Sequence, residues 1–110
     1  MYRNKKDYTN AANDYKGAIK DWQTYLIYDR DNPDILNSIG ECYRNLGQQQ
    51  DALKYINMAL AIQKNGFYFL NRSYTYRDLK NMEAARNDAL AAKNAGLRLD
   101  PAYAASLGIQ

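Results

Sequence analysis

Apolar residues in the middle of the chain recur twice at the spacing of an amphipathic helix. The first stripe consists of Leu36, Ile39, Gly40, Tyr43 and Leu46. The second stripe consists of Ala52, Leu53, Ile56, Ala59 and Leu60. Residues three, four and seven positions apart share one face of a helix, so each stripe predicts a helix with one buried side. Because only Gly47 and a short polar link separate the stripes, we expect antiparallel helices, the first capped by Asn32 and opened by Pro33.

The same pattern returns 33 residues further along the chain. This offset pairs Leu36 with Phe69, Gly40 with Ser73, Tyr43 with Tyr76, Leu46 with Leu79, Ala52 with Ala85, and Ala59 with Ala92. A partial copy lies 34 residues upstream and contains Ala18, Ile19, Trp22 and Tyr25. Recurrence at this period predicts stacked helical units. We therefore predict one domain over residues 1–110, with repeats at about 1–32, 33–65 and 66–99, and a short helix over residues 100–108 that covers the last repeat.

Small residues occupy helix positions where a leucine would bury more apolar surface. Glycine inside a helix costs roughly 1 kcal/mol relative to alanine, so Gly40 indicates a packing constraint that outweighs this cost. Two helices joined by a short turn approach to about 8 to 10 Å only if the residues at their crossing are small. We interpret Gly40 and Ala52 as this crossing, and Ala59 as space for the next helix pair.

These residues and their spacing resemble the tetratricopeptide repeat, whose units are helix pairs of about 34 residues. The middle copy carries the resemblance through Leu36, Ile39, Gly40, Tyr43, Leu46, Gly47, Ala52, Ile56 and Ala59. The resemblance implies an all-α fold, a right-handed superhelix of about three antiparallel helix pairs plus a short capping helix. The chain departs from the family pattern at Lys6 and Thr9, in the first predicted helix, and at Lys80, which replaces the usual glycine of the turn.

Composition and charge narrow the classes of function. A chain of 110 residues with 46% apolar and 25% charged residues fits one globular domain. Its 15 basic and 12 acidic residues are interspersed, a pattern that argues against nucleic acid as a partner. The sequence contains no apolar run of about 18 residues, so we expect no direct insertion into a membrane.

The sequence lacks the residues on which most enzyme chemistry depends. It contains no histidine, which is the commonest general base and metal ligand, and only one cysteine, Cys42. We interpret Cys42 as a buried, unreactive thiol. We therefore expect no enzyme activity, no metal and no cofactor. A single cysteine leaves the cellular compartment open.

Aromatic residues are numerous, with eleven tyrosines among the 110 residues. Such rings, interleaved with basic residues, could stack on the bases of a single-stranded nucleic acid. The alternative is packing between helices, which the repeat spacing favours for Tyr15, Tyr25, Tyr43, Tyr55 and Tyr76. Trp22 is interpreted in the same way, as an anchor of the first helix pair.

A second stripe follows the first helix of each copy on the side away from the apolar stripe. In the middle copy it holds Asn37, Glu41, Arg44 and Asn45, in the third copy Leu70, Tyr74, Arg77 and Asp78, and in the first copy Arg3, Asp7, Asn10 and Ala11. In proteins of the family that the chain resembles, the first helices line a concave groove, which implies that these residues face a bound partner. The alternative interpretation is a stripe that is only solvated. Adjacent apolar, aromatic and basic groups at Leu70, Tyr74 and Arg77 favour binding.

The resemblance implies a non-enzymatic module that binds a protein or peptide ligand, in the form of an extended peptide or a partner helix. Some members of the family clamp a terminal carboxylate with Lys and Asn residues, but Ser38 and Phe67 stand at two of those places, so this activity is not expected here. The alternative is a structural, regulatory or self-associating segment of a larger protein, since the third copy and the tail resemble the final repeats of some bacterial membrane proteins. RNA binding is a third hypothesis. We expect a monomer or a weak homodimer.

Overall fold

Helices account for nearly all of the described chain. The computed structural model describes the backbone of residues 5–109 and the side chains of residues 13–109. Within this range it contains α1 (Lys5–Tyr28), α2 (Pro33–Asn45), α3 (Gln49–Ile62), α4 (Gly66–Asp78), α5 (Met82–Asn94) and α6 (Pro101–Ser106), and no strand. The predicted all-α fold of stacked helices is therefore confirmed.

Two helix pairs, α2 with α3 and α4 with α5, form the centre of the molecule. Each pair turns through one residue in the left-handed backbone region, Gly47 with φ 80° and Lys80 with φ 65°. The sequence difference at Lys80 therefore leaves the turn unchanged, although a side chain in this region costs about 1 kcal/mol. Asn32 caps α2 as predicted, because its Oδ1 atom accepts hydrogen bonds from the backbone N–H groups of Asp34 and Ile35.

The first copy of the pattern differs from the prediction. A helix pair was expected within residues 1–32, but the backbone continues as one helix, α1, from Lys5 to Tyr28. The position equivalent to Gly47 lies near Asn13, where the chain has no glycine and where the preceding alanines, Ala11 and Ala12, favour a helix. The side chains of Lys6 and Thr9 lie outside the described residues.

The close crossing predicted at Gly40 is confirmed. A Cβ atom at Gly40 would lie 2.6 Å from the Cγ1 atom of Ile56 and 3.1 Å from the backbone oxygen of Ala52. At the equivalent place in the next pair, the buried Ser73 hydroxyl donates a hydrogen bond of 2.6 Å to the backbone oxygen of Ala85. Both crossings thus bring a first helix against a backbone carbonyl of its partner, which only small residues permit.

Apolar side chains form a series of clusters along the stack rather than one central core. Ile19, Ile35 and Ile39 join α1 to α2, with the half-buried Trp22 packed against them. The next cluster joins α2, α3 and α4 and consists of Leu36, Ala52, Ile56, Ala59, Leu60 and Tyr68. Ala59 contributes only a buried methyl group to this cluster, beside Tyr68 of the following pair, which agrees with the prediction that a small residue here makes room for that pair. This arrangement is typical of repeats that contact only their neighbours.

The chain after α5 covers the exposed end of the stack. Asp100 caps α6 by accepting a hydrogen bond of 3.1 Å from the backbone N–H of Tyr103. Tyr103, Leu107 and Ile109 are buried in one cluster with Ala85 and Ala89 of α5. The chain after α5 therefore packs on the last helix pair, as predicted for the short helix at residues 100–108.

Two buried tyrosine hydroxyls tie neighbouring elements together. Tyr68 of α4 donates a hydrogen bond to the Asp34 carboxylate of α2. Tyr103 lies 2.6 Å from the Ser73 hydroxyl, and because that hydroxyl uses its only proton on Ala85, Tyr103 is the donor. Burial raises the pKa of both tyrosines above the ordinary value.

Replacing Gly40 with leucine is expected to lower the free energy of unfolding by about 1 to 3 kcal/mol, because the new side chain overpacks the crossing of α2 and α3. Gly17→Leu is the matched control. Among the described residues, nothing beyond the adjacent helix backbone lies within 4 Å of a Cβ atom at Gly17, so leucine there should be neutral or slightly stabilising. Urea unfolding followed by circular dichroism measures both. Equal effects of the two substitutions would contradict the assigned crossing.

Alkaline pH is expected to destabilise the fold. Tyr68 and Tyr103 have raised pKa values in the folded state, so the unfolded chain releases their protons first. The contribution of these two tyrosines to the free energy of unfolding is complete below about pH 10, the ordinary pKa of tyrosine. It is lost as the pH rises toward the pKa of the folded state. Each tyrosine contributes a slope of at most about 1.4 kcal/mol per pH unit.

Urea unfolding of Tyr103→Phe between neutral pH and strong alkali tests this pH dependence. The variant should lose about 1 kcal/mol at neutral pH, with its hydrogen bond to Ser73, and should then show a shallower decline than the wild type. Tyr28→Phe, at a ring that is 86% exposed, serves as control and should keep the wild-type slope. A wild-type slope in Tyr103→Phe would refute the linkage.

Candidate partner-binding groove

The first helices of the two central pairs, α2 and α4, lie side by side. They pack directly on each other, whereas α3 and α5 make at most a marginal contact. The surface of α2 and α4 is therefore the inner side of the stack. It contains a depression of about 310 Å³, which we call the α2–α4 groove and which is lined by Asn37, Glu41, Arg44, Phe67, Leu70, Asn71 and Tyr74.

The eight residues predicted to face a partner divide into three groups in the structure. Those that line the α2–α4 groove are Asn37, Glu41, Arg44, Leu70 and Tyr74. Arg77 and Asp78 lie beside it, where their side chains are 3.4 Å apart. Asn45 is exposed at the end of α2 and does not line the groove.

The first copy of the pattern was predicted to carry the same stripe. The side chains of Arg3, Asp7, Asn10 and Ala11 lie outside the described residues. The structure therefore locates the predicted stripe on α2 and α4 alone.

Asn71 holds the two helices in register beneath the groove. It is buried, with 5% of its surface exposed. Its side-chain amide donates to the Oδ1 atom of Asn37 at 2.9 Å and to the backbone oxygen of Asn37 at 3.3 Å. Its own Oδ1 atom accepts a hydrogen bond of 3.0 Å from Nε of Arg44. The Arg44 side chain is thus oriented by a neighbouring helix before any partner arrives.

Two arginine side chains, Arg44 and Arg77, form cation–π contacts with the Tyr74 ring. The guanidinium carbon of Arg44 lies 5.2 Å from the ring centroid, and that of Arg77 lies 5.4 Å from it. Arg77 also lies 5.1 Å from the centroid of Tyr103, whose ring meets Tyr74 edge to face at 4.7 Å. Such contacts contribute about 0.5 to 1 kcal/mol each at exposed sites. They fix two positive charges at one side of the groove.

Two carboxylates, Glu41 in the groove and Asp78 beside it, balance the formal charges of Arg44 and Arg77, but they are not equally close to the arginines. Asp78 approaches Arg77, but no carboxylate within the described range lies at ion-pair distance from Arg44. The Nε–H group of Arg44 donates a hydrogen bond to Asn71, whereas its terminal N–H groups donate to no described side chain. Arginine presents several donors in a planar fork, so these groups are suited to a carboxylate or carbonyl oxygen.

The structure adds residues that the sequence pattern did not select. Phe67 and Asn71 line the groove, and Tyr103 supports Tyr74 from the C-terminal end. Phe67, Asn71 and Tyr74 are spaced four and three residues apart, so helical periodicity alone would have placed them on one face. Tyr103 carries no such signal, because its position depends on how α6 folds back.

Three of the five tyrosines predicted to pack between helices do so. Tyr43 stacks on Tyr55 at 5.6 Å between ring centroids, and both pack against the core. Tyr76 packs against the cluster that contains Ala85 and Tyr103. Tyr15 is half-buried on α1. The prediction was wrong for Tyr25, which is 58% exposed.

Cys42 is half-buried on α2, and burial followed by the nearby Glu41 charge raises the pKa of its thiol. A raised pKa keeps the thiol protonated at neutral pH and lowers its nucleophilicity. This agrees with the interpretation of Cys42 as an unreactive packing residue.

Comparison with known proteins gives one family match. A tetratricopeptide-repeat model matches residues 33–65, which include all of α2 and α3. No curated protein and no solved structure matched the chain. No helix in the described part of the chain is long and apolar enough to cross a membrane.

Repeats of this family generally mediate interactions between proteins and are typically non-enzymatic. The matched segment contains the Gly40 and Ala52 crossing, and the helices that surround it stack in adjacent pairs. Residues 33–65 therefore match a tetratricopeptide repeat, and the stacked helix pairs around them are consistent with the α-solenoid fold of that family.

Proposed function

We propose that this protein is a non-enzymatic interaction module that binds an extended peptide or a partner helix in the α2–α4 groove. The observation that carries the proposal is the pair of arginines held against Tyr74 at the edge of a depression on the inner face of the stack. Preorganised aromatic and arginine side chains are the groups that dominate binding energy at protein interfaces.

The chemistry of the groove favours a partner segment with both apolar and acidic character. Phe67 is 65% exposed and lies beside Leu70, which gives the groove an apolar wall. The guanidinium groups of Arg44 and Arg77 lie against Tyr74, where a carboxylate of the partner would gain two charged donors. An extended or helical peptide with an apolar residue next to an acidic one satisfies both requirements.

The other functional classes have less support. The raised pKa of Cys42 gives no activated nucleophile, and the balanced charges do not provide the basic surface that nucleic acid requires. Self-association remains the alternative, because exposed apolar side chains such as Ile62 and Phe67 could also meet a second copy.

Selection from random peptides displayed on phage, followed by titration of a selected peptide, tests the proposed groove. Charge reversal at both arginines, Arg44→Glu with Arg77→Glu, is expected to weaken binding at least tenfold, because it removes the donors and repels an acidic partner. Because Arg44 hydrogen-bonds Asn71 and both arginines pack against Tyr74, urea unfolding of the double variant accompanies the titration and separates a loss of binding from a loss of stability.

The control variant combines Lys20→Glu with Arg86→Glu. It changes the net charge by the same amount at exposed positions on α1 and α5, outside the groove. Peptide binding should match the wild type. An equal loss of peptide affinity in both double variants would show that binding depends only on net charge, which would contradict the proposed groove. If no peptide is selected and sedimentation shows a tight dimer, self-association would replace the proposal.

A further inference from the structure

A second cavity lies between the C-terminal half of α1 and the start of α2. Its volume is about 540 Å³, and it shares no lining residue with the α2–α4 groove. We call it the Trp22 pocket, and it is lined by Trp22, Tyr25, Tyr28, Asp29, Asn32, Asp34, Ile35 and Ser38. A cavity of this size falls in the range that holds small ligands or single side chains.

Three aromatic residues, spaced three apart on α1, form one wall of the Trp22 pocket. The rings of Trp22 and Tyr25 have centroids 5.8 Å apart and are inclined at 58°, so they form a corner rather than a stack. Tyr25 is 58% exposed and Tyr28 is 86% exposed. Aromatic side chains left open around a cavity lose the free energy of burial, so this arrangement suggests a group that would cover them.

The lining of the Trp22 pocket also carries negative charge. Asp29 and Asp34 line it, and no lysine or arginine does. Within the described residues neither carboxylate is at ion-pair distance from a basic side chain. Asp29 accepts a hydrogen bond of 2.9 Å from the Asn32 amide, and Asp34 accepts one from Tyr68, so both carboxylates are held in place.

An anion does not fit this pocket, although it adjoins the start of a helix. The N–H groups of Asp34 and Ile35, which would bind an anion there, are already engaged by Asn32. A purely apolar occupant would remove water from the two carboxylates without supplying a counter-charge, which costs free energy. A cation with an apolar surface could contact the aromatic rings and also balance the charge of the two carboxylates.

We propose that the Trp22 pocket binds an organic ammonium group, of the kind carried by methylated amines. Such a group gains cation–π attraction from Trp22 and Tyr25 and charge attraction from Asp29 and Asp34. Its methyl groups cover the exposed rings. The group can belong to a free quaternary amine or to a methylated lysine side chain of a protein, and this site is independent of the α2–α4 groove.

Fluorescence of Trp22, the only tryptophan in the chain, reports directly on the pocket. The full chain is titrated with choline, with its neutral isostere 3,3-dimethylbutanol, and with a short peptide that contains trimethyllysine, at constant ionic strength. We expect saturable changes with choline or the peptide and at least tenfold weaker binding of the neutral isostere. Tenfold tighter binding of the peptide than of choline would identify a protein side chain as the source, and equal binding would show that the ammonium group suffices.

Substitutions distinguish the contribution of the carboxylates to binding from that of the aromatic rings. Asp29→Asn and Tyr25→Leu should each weaken binding at least threefold, while Asp21→Asn, on an exposed part of α1 that does not line the pocket, should bind like the wild type. Calorimetric titration provides a second readout that a change in tryptophan environment does not affect. Equal binding of choline and its neutral isostere, no saturable binding of either cation, or unchanged binding in both pocket variants would each overturn the proposal.

Discussion

The close crossing of the first and second helix in each pair is the constraint on which the structure depends. At Gly40 there is no room for a side chain between α2 and the backbone of α3. Ser73 solves the same problem in the next pair by using its hydroxyl to hydrogen-bond the facing carbonyl. Both pairs can therefore approach closely at this point, and they stack with α2 beside α4.

Polar side chains then fix the register between successive helices. Asn71 connects α4 to α2, and Arg72 connects α4 to α5 through two hydrogen bonds of 2.8 Å to the nearly buried Asp88. The Asp88 hydrogen bond is the main cause of the raised pKa of Arg72. Directional contacts of this kind allow fewer alternative alignments than apolar packing does. The positions of Arg44 and Tyr74 are therefore inherited from the packing of the helices that carry them.

The two proposed sites differ in how they are built. The α2–α4 groove uses residues from equivalent places of two repeats, and its cations rest on an aromatic ring. The Trp22 pocket lies between one continuous helix, α1, and the start of α2, and its three aromatic rings all come from α1. It therefore lies in the copy that departs from the repeat pattern.

Periodicity and residue size in the sequence were sufficient for the fold class, for the helix pairs α2–α3 and α4–α5, for the Asn32 cap and for the crossing at Gly40. Each of these depends on local spacing or on the properties of one residue. The single helix α1 and the exposure of Tyr25 were not predictable in this way, since a buried and an unpartnered helix face carry the same apolar stripe. Periodicity selected five of the residues that line the groove, but only the tertiary structure joined Asn71 to Arg44 and brought Tyr103 against Tyr74. Those contacts link residues that are distant in the chain, and their geometry is decided by how neighbouring helices pack.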